Sequence, residues 1–364
     1  VSLGNSADLQ AYELMELWGD DPTIDVIAVY LESITAGSEL VRVAREVSKR
    51  KPIFALIAGR TNVGKMAASS HTAALASATE GIDAVLESGG IVRVETLKEL
   101  LEATYSASWS LAPRGNRVGV ITNSGGPGIL FADRAVSREL QLPPLSGEAQ
   151  SKLRTLVAKE ASLINPIDLT AAASPADVAA VIRIRSREVD VVVVIIVDIG
   201  ITPVEDFVEA VYRVSDETRG DVPVILVLPT GTEGVRVKLK TAPIVPRLDT
   251  VEGGADAVAD LVKATSVKDR ISAPIPLNNE EINQLRALAP QWRKKGPERW
   301  LHWHEIEGLL LLAGIPCVPG WEGPLDSFAD GAVTIGYPLV AKLLMPGVLH
   351  KSDIGGVVTD IQDT

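Results

Sequence analysis

Residues 67–76 read AASSHTAALA and set one histidine, His71, among small hydroxyl residues at a predicted helix start. Ser69, Ser70 and Thr72 are residue types that cap helices, and an alanine-rich run follows. An imidazole there is a nucleophile able to carry a phosphoryl group. A helix start adds unpaired N–H groups and partial positive charge, both suited to phosphate oxygens. The same residues also fit a capped surface helix with an incidental histidine.

A second set of residues points to the same chemistry. Residues 117–122 (RVGVIT) are predicted as a strand, 123–128 (NSGGPG) as a tight turn, and 129–140 as a helix packing through Leu130, Ala132, Ala135 and Leu140. Gly125, Gly126 and Gly128 let backbone approach a ligand closely, which makes this a phosphate-cradle candidate. Pro127 suits a first helical turn. A sharp strand-to-helix connection with glycine for steric reasons is the alternative.

The elements that must position these groups alternate. Residues 25–32 (DVIAVYLE) form a short apolar run ending in Glu32, predicted as a buried parallel strand. Leu40, Val43, Ala44 and Val47 then make a helical stripe over 37–50, and 52–58 (PIFALIA) reads as a second strand. Strand, helix, strand, glycine turn and helix is the rhythm of an open α/β sheet, whose sites gather at the carboxyl ends of strands. Glu32 stands at such an end, so it can meet His71, fix its tautomer and stabilise a phosphorylated ring; an exposed strand-end acid is the alternative. Farther on, a capped helix is expected over 174–184, strands over 189–197 and 223–228, and a helix over 251–264. Asn165 and Asp168 read as scaffold, and Asp198 as a surface or capping acid.

Rival chemistries fit less well. Residues 59–65 (GRTNVGK) match the G-x-x-x-x-G-K pattern, but a P-loop next needs Ser or Thr to hold Mg²⁺ and position 66 is Met. His302 and His304 flank Trp303 without a third histidine or a cysteine nearby, so no metal site is expected there. The net charge of −12 argues against a nucleic-acid surface. No apolar run reaches membrane-span length. One cysteine, Cys317, excludes an internal disulfide and reads as a small packed hydrophobe in a reducing, cytoplasmic setting.

In order along the chain come SLGNSAD at 2–8, DDP at 20–22, YLE at 30–32, SHT at 70–72, GIVRV at 90–94, NSGGPG at 123–128 and NPIDL at 165–169. GYPLVAKL at 336–343 and VLHKSDIGGV at 348–357 follow. This series resembles the nucleoside-diphosphate-forming acyl-CoA synthetases, relatives of succinyl-CoA synthetase. The resemblance implies two flavodoxin-like, doubly wound parallel-sheet α/β domains at 1–112 and 113–270, a linker at 271–298, and the start of an ATP-grasp (α+β) domain at 299–364. The linker expectation fits the Pro- and base-rich composition of 266–297.

The resemblance also assigns roles. His71 becomes the phosphorylated residue and Glu32 its stabiliser, with Ser70, Thr72, Gly125, Gly126 and Gly128 around the phosphate. Lys342 falls at the nucleotide phosphates, His350 on a mobile loop that relays phosphate, and Gly4 and Asn5 near the acid. The family commonly has Gly where this chain has Ala73, which implies a shifted loop or an altered rate. ATP or ADP, Mg²⁺ and CoA are the implied cofactors, with a short or branched carboxylic acid and phosphate as substrates in an oligomer. A preceding CoA-binding domain and the rest of the ATP-grasp domain are expected in cis or as separate subunits. The stretch given is expected to be inactive alone. Two alternatives stay open: a non-catalytic CoA- or nucleotide-binding module of a protein acetyltransferase fusion, and a P-loop hydrolase.

Overall fold

A computed structural model describes residues 1–3, 8–34, 36–59, 61, 63, 79–218, 222–229, 245–272, 280, 283–284, 286–287, 303–312, 315–344 and 351–363. They belong to two compact units, Val1–Ala273 and Pro274–Thr364.

The first unit holds two parallel sheets. Strands β1 (Ile27–Leu31), β2 (Ile53–Ile57) and β3 (Val92–Val94) lie in the order β1-β2-β3. Side chains along a strand alternate between faces. Ile53, Ala55 and Ile57 accordingly pack with α1 (Ala11–Asp20), α2 (Gly37–Ser48) and α3 (Thr79–Gly89). Phe54 points the other way, toward Leu100 and Ala103 of α4 (Leu97–Trp109). The predicted stripe of α2 is the buried one: Leu40, Val43, Ala44 and Val47 are all in this core.

The second sheet comprises β4 (Val118–Thr122), β5 (Ile167–Asp168), β6 (Val191–Ile195), β7 (Val224–Val227) and β8 (Arg247–Leu248). All are parallel, in the order β5-β4-β6-β7-β8. Counted from β4, this is the 2-1-3-4-5 order of a flavodoxin-like fold. One face packs against α6 (Gly147–Arg154), α7 (Pro175–Arg185) and α8 (Val204–Glu217), the other against α5 (Gly125–Ser137) and α9 (Val251–Ser272). Buried on both faces, β6 is the continuous apolar run VVVVI. Ser174 and Asp177 close a reciprocal capping box at the start of α7, as the sequence predicts.

Two sequence expectations are corrected here. Helix α5 begins at Gly125, so the three glycines lie in its first turn instead of a turn before it, and Pro127 sits in that first turn as expected. Its buried residues are Gly128, Phe131 and Ala135, while Leu130 is exposed. Helix α9 runs on to Ser272, through the first residues of the stretch read as a linker. Its Ala264 enters the core of the first sheet beside Phe54, while Ala255, Val258 and Leu261 line the second.

The two sheets are joined by polar contacts from α4. Lys98 Nζ donates to Thr250 Oγ1 at 2.7 Å. Glu99 Oε1 of α4 lies 2.9 Å from Arg138 Nη2, which is also 2.7 Å from Asp260 Oδ1 of α9.

The second unit contains α10 (Trp303–Leu312), α11 (Phe328–Ile335) and an antiparallel pair, β9 (Leu339–Lys342) with β10 (Val357–Ile361). Cys317 is only partly buried, with Sγ 3.7 Å from the Ile315 carbonyl, so it is not the packed hydrophobe expected. No helix among the described residues is long and apolar enough to cross a membrane.

Candidate functional site

The order of the second sheet reverses between β4 and β6, since β5 lies beyond β4 on one side and β7 beyond β6 on the other. Such a switch point opens a crevice at the carboxyl ends of the two strands, because the connections leave toward opposite faces. Helix α5 follows β4 onto one face, and α8 follows β6 onto the other. The glycine-rich start of α5 therefore stands at the crevice.

The three glycines differ in what they allow. A β-carbon at Gly128 would meet Thr122 Cγ2 at 3.2 Å and Pro166 Cβ at 3.3 Å, so glycine lets α5 settle close on the sheet. One at Gly125 would meet Asp168 Oδ2 at 2.9 Å. One at Gly126 would meet nothing within 4 Å, and that residue is exposed. Packing explains the first two; open space in front of Gly126 is what a bound anion needs.

Local hydrogen bonds fix the turn. Thr122 Oγ1 accepts from Ser124 N at 3.1 Å and donates to Ser124 O at 2.9 Å. Ser124 occupies the N-cap with extended backbone, yet its side chain makes no capping bond. The first N–H groups of α5 thus keep no side-chain cap, which leaves them to an outside acceptor. Asn123 is buried and exchanges two hydrogen bonds with Val197: Nδ2 donates to its O and Oδ1 accepts from its N, each at 2.9 Å. Asn165 does similar work on the far edge of β4. Its Oδ1 accepts from Val120 N at 3.0 Å, and its Nδ2 donates to Val118 O at 2.8 Å and Pro143 O at 3.0 Å. Asp168 Oδ1 accepts from Thr170 N at 2.8 Å, and exposed Asp198 accepts from Gly200 N in a short turn.

Glu32 directly follows β1 at its carboxyl end and is half-buried. Its Oε2 is buried and has no hydrogen-bond partner among the described residues. A buried carboxylate oxygen without a donor is costly, so the site suits an incoming N–H or O–H. Gly4, Asn5, Ser70, His71, Thr72 and His350 lie outside the described residues, as do Arg60 and Lys65 of the rival P-loop pattern. Lys342 ends β9 in the second unit and is exposed there, paired in register with Val357. Among the described residues no three His, Cys, Asp or Glu side chains group to hold a metal ion.

Sequence reasoning missed the roles of Thr122, Ser124 and Asn123. The one available signal was a polar trio, TNS, directly between an apolar strand and the glycines.

Three family models match, in order. The Succinyl-CoA ligase like flavodoxin domain matches residues 1–106, the Ligase-CoA domain 118–238, and the ATP-grasp domain 291–364. The chain is 30% identical over 367 residues to the ADP-forming acetate–CoA ligase I of Archaeoglobus fulgidus, a match covering 99% of this chain and 52% of that protein. It is 34% identical over 243 residues to the alpha subunit of ADP-forming acetate–CoA ligase II of Pyrococcus furiosus, covering 65% of this chain and 53% of that subunit. Among solved structures it is similar to a dinucleotide forming acetyl-coenzyme A synthetase 1 of Ca. Korarchaeum cryptofilum in complex with phosphate and ADP. That match has a TM-score of 0.68 and 26% identity, and covers 74% of this chain and 60% of the other. The chain spans about half the length of the curated relatives it matches. With a flavodoxin-ordered sheet, an uncapped glycine-rich helix start and these domains in this order, the chain is similar to the nucleoside-diphosphate-forming acyl-CoA synthetases.

Proposed function

We propose that this chain carries the phosphoryl-transfer part of an ADP-forming acyl-CoA synthetase. The reaction interconverts acyl-CoA, phosphate and ADP with a carboxylic acid, CoA and ATP. The observation that carries the proposal is the uncapped start of α5 at the switch point, with open space before Gly126. It lies in the residues matched by the Ligase-CoA domain.

In the proposed sequence a phosphate oxygen attacks the thioester carbonyl, and the carbon–sulfur bond breaks to give acyl phosphate and CoA. A ring nitrogen of His71 then attacks phosphorus, and the bond to the carboxylate oxygen breaks, releasing the acid. Glu32 accepts a hydrogen bond from the other ring nitrogen and holds the imidazole in one tautomer. Its Oε2, without a hydrogen-bond partner among the described residues, supports that role. The N–H groups of α5 stabilise charge on the phosphoryl oxygens, a role that the family resemblance also gives to Ser70 and Thr72. The phosphoryl group then passes from nitrogen to an ADP oxygen, with His350 and Lys342 of the second unit taking part. Mg²⁺ enters with the nucleotide, and no described residue is assigned to hold it.

A short or branched acid, bound near Gly4 and Asn5, is the proposed substrate. The proposed partners are a CoA-binding part and the remaining nucleotide-binding part, in cis or as separate subunits. The Pyrococcus relative named as an alpha subunit supports the second arrangement.

The test is labelling of the parent protein with γ-labelled ATP and Mg²⁺. An acid-labile, base-stable label is expected, absent in His71→Ala and discharged by ADP. A folded parent that takes no label overturns the mechanism.

A further inference from the structure

We propose that Asn123 is a positioning residue for the phosphate turn: its side-chain amide, bonded to both backbone groups of Val197, holds the start of α5 at a fixed spacing from the loop leaving β6. This assignment rests on reading the start of α5 as phosphate-binding.

The strands β4 and β6 run side by side through Thr122 and Ile195. Beyond them the backbone ladder ends, and the two connections depart to opposite faces. Nothing in the ladder then holds the loops together, although a ligand in the crevice must touch a turn of defined position. Asn123 is the first residue past β4, and its amide continues the pairing in place of backbone. An amide presents an N–H donor beside a C=O acceptor in one fixed plane, which matches the C=O and N–H of a single residue. The bonds are nearly sealed from water, with Asn123 only 1% exposed. The next residue, Ser124, is tied by both backbone groups to Thr122 Oγ1. From strand end to helix start the chain thus has little freedom, and misplacement of about 1 Å in such a site costs roughly a hundredfold in rate.

Aspartate keeps the shape of asparagine but, when ionised, turns an acceptor toward the Val197 carbonyl. When protonated it again has one donor and one acceptor. Asn123→Asp therefore gives a positioning defect that acid repairs, whereas Asn123→Ala gives one that pH does not change.

The experiment measures binding of inorganic phosphate to the chain by calorimetry at pH 5.5 and pH 8, with circular dichroism reporting the fold. Burial and the facing Val197 carbonyl both disfavour the ionised carboxyl and raise its titration range, so Asn123→Asp is expected to bind at least tenfold more weakly than wild type at pH 8, with the ratio narrowing toward pH 5.5. Taking the ratio cancels the titration of phosphate itself. Asn123→Ala is expected to stay weak at both. If Asn123→Ala does not fold, the two-pH comparison of Asn123→Asp decides alone. A folded Asn123→Asp that matches wild type at pH 8, or whose deficit ignores pH, overturns the assignment while leaving the phosphate reading intact. A wild-type chain that binds no phosphate removes that reading and this assignment together.

Discussion

A β-carbon at position 125 would lie 2.9 Å from Asp168 Oδ2, so glycine there is what lets the carboxylate at the end of β5 rest against the first turn of α5. One residue later the surroundings are empty. This contrast separates a glycine that packing requires from one that packing does not explain.

Gly126→Ala is expected to leave the fold intact and to stabilise α5 by up to about 1 kcal/mol, since alanine is the better helix former. The added methyl group projects where phosphate is proposed to sit, and such overpacking costs about 1–3 kcal/mol. Phosphate binding should weaken roughly tenfold or more while the melting temperature holds or rises. Gly125→Ala should instead lower the melting temperature. Calorimetry beside thermal melts checks both, and unchanged phosphate binding in Gly126→Ala removes Gly126 from the site.

Asp260 has a fully buried side chain, and burial pushes its carboxyl up to about 8 against the attraction of Arg138, with Glu99 and Asp256 adding repulsion. Unfolded, the same group titrates near its ordinary value of 3.8. Between about pH 4 and pH 8 the folded protein holds a proton that the unfolded chain has released, so this group lowers stability as pH rises through the window. Below it both states are protonated, and above it both are ionised. Asn at this position never ionises. Urea unfolding at pH 5, 7 and 9 should show Asp260→Asn gaining on wild type as pH rises, and parallel curves would refute it.

Glu99 reaches Arg138 from the other half of the unit and raises the Asp260 carboxyl through repulsion. In Glu99→Gln the decline in stability with pH should end at a lower pH, because folded Asp260 ionises more easily while the unfolded chain is unchanged. The effects of Glu99→Gln and Asp260→Asn should also fail to add, as expected for groups sharing Arg138. A double-mutant cycle at pH 7 measures this.

Asn165→Ala removes all three of its hydrogen bonds. Pro143 O keeps Arg185 Nη2 as a donor, but Val118 O and Val120 N lose their side-chain partner. Leaving buried backbone groups unpaired costs about 1–3 kcal/mol each, so a loss of about 2–6 kcal/mol is expected in chemical denaturation. A loss under half the lower figure would mean that water or β5 takes over the edge.

Much of the frame was legible because it rests on local patterns. Leu40, Val43, Ala44 and Val47 have helical spacing and are buried on α2. The cap expected at the start of the 174–184 helix is there, with Ser174 and Asp177 closing a capping box. The start of α5 was misplaced because three glycines and a proline satisfy a turn and a first helical turn equally well. That shift brought Leu130 forward in place of Phe131, which is the residue in the core. Asn123 went unassigned because a buried clamp and a loop asparagine have the same sequence, and only Val197, far along the chain, distinguishes them. Glu99, Arg138 and Asp260 meet across two sheets, and no local period encodes such a meeting.

Helix α9 has 22 residues, about 33 Å of helix, and it serves as a wall for both sheets. Its Ala264 closes the outer core of β2 and β3, strands completed some 170 residues earlier in the chain. During synthesis the first hundred residues therefore emerge with one side of their sheet unfinished. Phe54, Val92 and Val94 wait, covered by α4 alone, until the second half has been made. Two sequentially separate halves that share one wall complete their folding together, so a break introduced before α9 would disable the older half as well as the newer.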